Sequence, residues 1–294
     1  MNLLQHELTT TDGRTLRVYD SGDPDGHPIF GLHGTPGCGR LRQSAIDSAG
    51  DNGLRLLSHD RPGYGGSSRQ PGRLIRDVAA DVATIADQLG IDRFGVWGIS
   101  GGGPHALACA ALLPERVIAA VSIASPAPID ADGLDYFADM GDMNAEEVEI
   151  LAKGAEHHIA WLREQADAMQ TGSAEDLRTA LATLLSPVDR EALTNELAAY
   201  LHENFRLAMA QGVEGWHDES VAELSPWAFD VGTIRVPMQV WHGEQDRFVP
   251  VSHGRWLGDQ VPGVELQISA DDGHISLIER GVPLAQDWLA SRFD

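Results

Sequence analysis

Strand-like and helix-like runs alternate from the start of the chain to about residue 124, give way to a strand-free stretch over residues 126–233, and then resume. Parallel strands need a crossover between them, and a helix is the usual one, so this alternation implies a largely parallel sheet with helices on both faces. The candidate strands are Leu16–Tyr19, Ile29–Leu32, Leu54–His59, Phe94–Ile99 and Val117–Ile123, rich in aliphatic and β-branched residues. Between them, Ile75, Val78, Val82, Ile85, Ala86 and Leu89 recur at helical spacing, with Gly90 as the stop signal.

The rhythm breaks at Ser125-Pro126-Ala127-Pro128, after which the chain is rich in Ala, Leu and Glu. Helix starts are expected at Asn144 with Glu147, Ser173 with Asp176, and Ser186-Pro187 with Asp189. Each pairs a cap oxygen with negative charge in the first turn. Strands resume at Met238–Trp241 and Val264–Ile268, and a last amphipathic helix is expected around Val282, Leu284, Ala285, Trp288 and Leu289. The middle segment therefore splits one sheet: residues 1–125 and 234–294 form an α/β core, and 126–233 an all-helical insertion.

Gly98-Ile99-Ser100-Gly101-Gly102 lies where a strand gives way to a helix-forming run, Ala106 to Leu113. A serine there is held on a strained turn that lifts its hydroxyl above the sheet edge, and a β-carbon at Gly98 or Gly102 would collide with the neighbouring limb. Ser100 is the candidate nucleophile. A serine hydroxyl needs a base within hydrogen-bond reach and a third group to orient that base. Asp246 follows the strand Met238–Trp241, and His274 is expected in the loop after Val264–Ile268. In a parallel sheet both fall on the edge that carries Ser100. His274 is the expected general base and Asp246 its orienting acid, with Glu244, Asp271 and Asp272 as alternative acids.

The tetrahedral intermediate of such a reaction needs donors aimed at its oxyanion. After Ile29–Leu32 comes His33-Gly34-Thr35-Pro36-Gly37, where the Thr35 amide can pair with that of Gly101. His33 is expected to be structural, as is Asp60.

These segments together resemble the α/β-hydrolase superfamily with a helical cap between strands six and seven, over nearly the whole chain. His33–Gly37 resembles its oxyanion loop, Asp60–Ser67 its Asp- and Gly-rich segment, Gly98–Gly102 its nucleophile elbow, Gly243–Asp246 with Val249-Pro250 its acid loop, and Gly273-His274 its histidine. The fold hosts many reactions. Haloalkane dehalogenases and epoxide hydrolases of this fold use an Asp nucleophile, and Ser100 disfavours both. Proline iminopeptidases carry a glycine where Thr35 stands. The resemblance thus implies a serine hydrolase, carboxylic esters first, with lactones, amides, peptides or carbon–carbon bonds behind, and a ligand-binding protein as the non-enzymatic rival.

A net charge of −23, with 44 acidic residues and Lys153 as the single lysine, makes nucleic acid and anionic membranes poor partners. Residues 1–20 show no basic flank followed by an apolar run, so a cytoplasmic location is expected. Cys38 and Cys109 are expected as free thiols. No metal is expected, since His157-His158 and His242 lack ligand spacing and are read as surface or packing residues, and no cofactor is expected, since no phosphate-binding glycine loop appears. The expected partner is a small molecule, and a homo-oligomer is compatible with the sequence. Of Tyr136, Phe137, Met140, Met143, Trp161, Phe205, Met209, Trp216 and Trp227, most are expected in the cap's own core and a minority in a substrate pocket.

Overall fold

The computed structural model describes residues 3–170 and 173–293. The strands are β1 (Leu4–Thr9), β2 (Thr15–Asp20), β3 (His27–Leu32), β4 (Leu54–His59), β5 (Phe94–Ile99), β6 (Val117–Ile123), β7 (Met238–Gly243) and β8 (Glu265–Ser269). The helices are α1 (Gln43–Asp51), α2 (Val78–Gln88), α3 (Gly103–Leu112), α4 (Asp142–Ala152), α5 (Ala155–Gln170), α6 (Ala174–Ala180), α7 (Pro187–Ala192), α8 (Asn195–Ala208), α9 (Glu214–Glu223), α10 (Val251–Gln260) and α11 (His274–Ala290).

All eight strands join one sheet in the order β1-β2-β4-β3-β5-β6-β7-β8. The β1–β2 and β2–β4 pairings are antiparallel, and every other pairing is parallel. Successive side chains of a strand point to opposite faces, and the central strands bury both. Phe30, Leu57, Val96, Ala120 and Val240 enter one cluster with Val82, Ile85, Leu107 and Leu257 of α2, α3 and α10. Their neighbours Ile29, Leu56, Trp97, Val121 and Trp241 enter another with Ala49 of α1 and Leu277 and Leu289 of α11. Strands covered on both sides read as continuous apolar runs, which is why they were visible in the sequence. Helices α4–α9 lie between β6 and β7, and α5, α6, α8 and α9 share a third cluster, with Trp161, Leu162, Leu177, Leu185 and Phe205 meeting Cys38 and Tyr64 of the core.

Several expectations need correction. β1 was not anticipated; it pairs only with β2 at the sheet edge and buries little. Nor were α1 and α10. Asn144 caps nothing: α4 begins two residues earlier, and the Asn144 amide donates to the Phe248 carbonyl at 2.8 Å, tying α4 to the loop after β7. The Ser173 and Ser186 caps are as read from the sequence, each hydroxyl accepting the amide three residues on. The last helix starts at His274, eight residues before the anticipated apolar stripe, and runs through Pro283.

Candidate active site

β5 ends at Ile99, and a short tight turn, Ser100–Gly102, leads into α3. Ser100 has φ of +51°, left-handed backbone that costs a residue with a β-carbon about 1–3 kcal/mol. Two glycines let the turn close. A β-carbon on Gly98 would overlap the Gly102 carbonyl oxygen, the other limb of the same turn. One on Gly102 would overlap the carbonyl oxygens of Leu32 and His33, so there the obstacle is the end of β3 and not the opposite limb.

Asp246 and His274 meet above the same edge of the sheet. One carboxylate oxygen of Asp246 accepts the amides of Phe248 and Val249, both at 2.9 Å, and the other accepts His274 Nδ1 at 2.7 Å. With its proton on Nδ1, the ring keeps a lone pair on Nε2 for use as a base. The Phe248 ring stacks on it, centroids 4.5 Å apart. Burial disfavours the imidazolium, but the Asp246 carboxylate, through charge and hydrogen bond, with Asp189 behind it, wins and raises the His274 pKa. The rival acids are engaged elsewhere: Glu244 with Arg255 at 2.7 Å, Asp272 with Ser269 and Arg280. Asp271 is exposed. His242 is buried within the site's framework, its Nε2 2.7 Å from the Val249 carbonyl, and is no surface residue. Ser100 and His274 line one cavity, and no hydrogen bond joins them in the resting arrangement. Such contacts often tighten only when substrate is bound.

Gly34 lies against Ser100: a β-carbon there would sit 3.3 Å from that of Ser100. Among the described residues the Thr35 amide has no protein acceptor. The Thr35 hydroxyl abuts Gly101, so the two amides named from the sequence belong to adjoining segments. Arg61 holds this loop from below, donating to the carbonyl oxygens of His33 and Gly34 and, at 3.1 Å, to Thr35 Oγ1. His33 Nε2 accepts the Arg61 amide at 3.3 Å, so Nδ1 donates to the Gly34 carbonyl. Burial and the Arg61 charge hold its pKa well below the usual value. It is a neutral strut. Cys38 and Cys109 are buried free thiols, pushed by burial up to about 12.

The alpha/beta hydrolase fold family matches residues 27–281. This chain belongs to that family. The hydrolase is 30% identical to a 2-hydroxy-6-oxononadienedioate/2-hydroxy-6-oxononatrienedioate hydrolase of Klebsiella pneumoniae, covering 89% of this chain and 86% of the relative. It is 27% identical to a proline iminopeptidase of Xanthomonas citri, covering 92% and 90%. Among solved structures, an esterase from Exiguobacterium antarcticum superposes with a TM-score of 0.69 at 17% identity, covering 99% of this chain and all of that one, a likeness of fold alone.

Two groups in the site of this α/β-hydrolase had no signal in the sequence. Asp189, read only as a first-turn acid of α7, reaches out of its own helix. Its carboxylate accepts the His274 amide and the Ser276 amide, both at 3.0 Å, and so caps α11. Asp189→Ala should cost about 1–3 kcal/mol by stranding buried donors. Urea unfolding would measure it, and a parallel fall in kcat is expected as His274 loses its anchor. The second group is buried beside the Thr35 loop. Glu219 of α9 pairs with Arg61 at 3.0 Å, with Arg73, and with His105 at 2.6 Å. Glu223, one turn on, accepts the Thr35 hydroxyl at 2.7 Å.

The cavity above Ser100 has a volume of about 510 Å³. Tyr136, Phe137, Met140, Met143, Phe205 and Trp216 line it, a majority of the cap aromatics and methionines where a minority was anticipated. Trp161 and Met209 lie in the cap's core and Trp227 in that of the sheet. The anticipation failed because Tyr136, Phe137 and Met140 lie before α4, outside the helices, while Phe205 and Trp216 belong to the insertion's apolar cluster and line the cavity as well. Among the described residues, the arginines on the cavity wall are Arg40 and Arg42, and both are paired, with Glu203 and Glu279. Three carboxyls, Glu147, Glu223 and Glu279, also line it. No helix among the described residues is long and apolar enough to cross a membrane.

Proposed function

We propose that this α/β-hydrolase cleaves a carboxylic ester of a small-to-medium, partly apolar substrate through an acyl-enzyme. The observation that carries the reading is the 2.7 Å Asp246–His274 bond on the wall of the cavity into which Ser100 is turned out at φ +51°. Ser100 Oγ attacks the ester carbonyl carbon as His274 Nε2 takes its proton. The carbonyl π bond opens onto oxygen, and the amides of Thr35 and Gly101 receive the resulting oxyanion. Collapse breaks the bond to the alcohol oxygen, which leaves with the proton from His274. Water, activated by the same nitrogen, then releases the acid and restores Ser100. In this reading residues 126–233 act as a cap over a core of 1–125 and 234–294.

The lining argues for a neutral substrate. The Klebsiella relative's name specifies a dioate. A carboxylate placed in this cavity would meet Glu147 and find both wall arginines already paired, Arg42 with the wall residue Glu279. An apolar acyl or alkyl group would instead meet Met140, Met143 and Trp216.

The test is reaction with a fluorophosphonate followed by peptide mapping, beside a series of p-nitrophenyl esters of rising acyl length. One adduct, on Ser100, with turnover of the neutral esters and little of an acyl chain ending in a carboxylate, is the expected result. Folded protein that gives neither adduct nor turnover refutes the reading in favour of a ligand-binding role.

A further inference from the structure

We propose that Glu223 is a positioning residue of the oxyanion hole, holding the Thr35 hydroxyl as an uncharged carboxylic acid and silencing the hole when it ionises. The inference deepens the ester-hydrolase reading and rests on it.

The geometry starts from the hydrogen of Thr35. Its Oγ1 already accepts from Arg61 Nη2 at 3.1 Å, so its own proton goes to Glu223 Oε1 at 2.7 Å. That chain fixes the side chain of the residue whose amide is one oxyanion donor. The other donor, Gly101, is equally close: a β-carbon on it would overlap both Thr35 Oγ1 and Glu223 Oε1. The Glu223 carboxyl thus forms one wall of the place where negative charge develops. A carboxylate there opposes the oxyanion, whereas a carboxylic acid makes the same bond to Thr35 without that repulsion.

The surroundings favour the acid. Facing Glu223 are Glu219 on its own helix, Thr35 after β3, Arg61 and Tyr64 after β4, Tyr136 after β6 and Glu147 on α4. The one cation among them, Arg61, is engaged with Glu219 and the carbonyl oxygens of His33 and Gly34. Burial, then the Glu219 charge, push the Glu223 carboxyl up to about 8 against the pull of Thr35 and Arg61.

Two measurements on wild type and Glu223→Gln decide the matter. The glutamine keeps an oxygen for the Thr35 hydroxyl and cannot ionise. In wild type, kcat/KM should fall about tenfold between pH 7 and pH 9, the loss of neutral form for a group titrating near 8. In Glu223→Gln the ratio of the two values should stay within about twofold, and Glu223→Ala should not reproduce this flat profile at full rate, because it frees Thr35. The second measurement needs no turnover: a protonated-carboxyl infrared band that titrates near pH 8 should be present in wild type and missing from Glu223→Gln. An alkaline fall that survives in the glutamine variant overturns the proposal, as does an infrared band common to both proteins or absent from both. Wild type that hydrolyses no ester refutes the parent reading instead, and the infrared titration then decides alone whether Glu223 is held as an acid.

Discussion

Ser100→Ala should lower kcat for ester hydrolysis by about 10⁶-fold, as loss of the nucleophile does in other serine hydrolases, and should abolish the fluorophosphonate adduct. Stability should hardly change. The hydroxyl makes no hydrogen bond to lose, and alanine keeps the β-carbon that already sits at φ +51°, so the shift in a urea midpoint should correspond to less than about 0.5 kcal/mol. Steady-state kinetics on a p-nitrophenyl ester beside the unfolding curve would check both halves. More than one-hundredth of the wild-type rate remaining would show that another group attacks the substrate.

Asp246→Asn should lower kcat by about 10⁴-fold, and the hydrogen bonds around the carboxylate say why. One oxygen is claimed by the amides of Phe248 and Val249, so the asparagine must leave its carbonyl oxygen there. Its NH₂ then faces His274 Nδ1, where the carboxylate now accepts a proton. Nδ1 must give up its hydrogen, the proton moves to Nε2, and the atom that should take the Ser100 proton is occupied. The same carboxylate sets the acid limb of the wild-type profile. Since the His274 pKa is raised from its ordinary value of 6.5, activity should fall as pH drops through a value above 6.5, where the base becomes charged. A wild-type acid limb at or below 6.5, or near-normal turnover in Asp246→Asn, would move the orienting role to another acid.

What could be read from the chain follows from how local each cause is. The central strands and the serine turn announce themselves within a dozen residues, because a strand covered on both faces is an unbroken apolar run and a turn at positive φ needs its glycines next door. β1 escaped because Leu4–Thr9 sits at an edge and buries too little to impose a pattern. The start of α11 escaped because its first turn is held chiefly by a carboxylate from the helical insertion, the one local cap contact being the Gly273 amide donated to the Ser276 hydroxyl. Glu223 and Thr35 stand 188 positions apart, and His274 and Asp189 stand 85 apart. No window along one chain contains either pair, so the candidate residues could be named from local motifs while the side chains bonded to them could not.

The Asp189 contact bears on how such proteins can be recombined. The helical insertion is continuous in sequence and has its own cluster of apolar side chains, which invites its exchange for that of a relative with another specificity. Here, though, the carboxylate that terminates the histidine-bearing helix is encoded inside the insertion. A chimaera would trade away the brace of His274, the base of the proposed mechanism, along with the old pocket. Such exchanges should yield well-packed but sluggish proteins unless the donor segment supplies a carboxylate where α7 now presents Asp189, making that one side chain the boundary condition for transplanting specificity within this architecture.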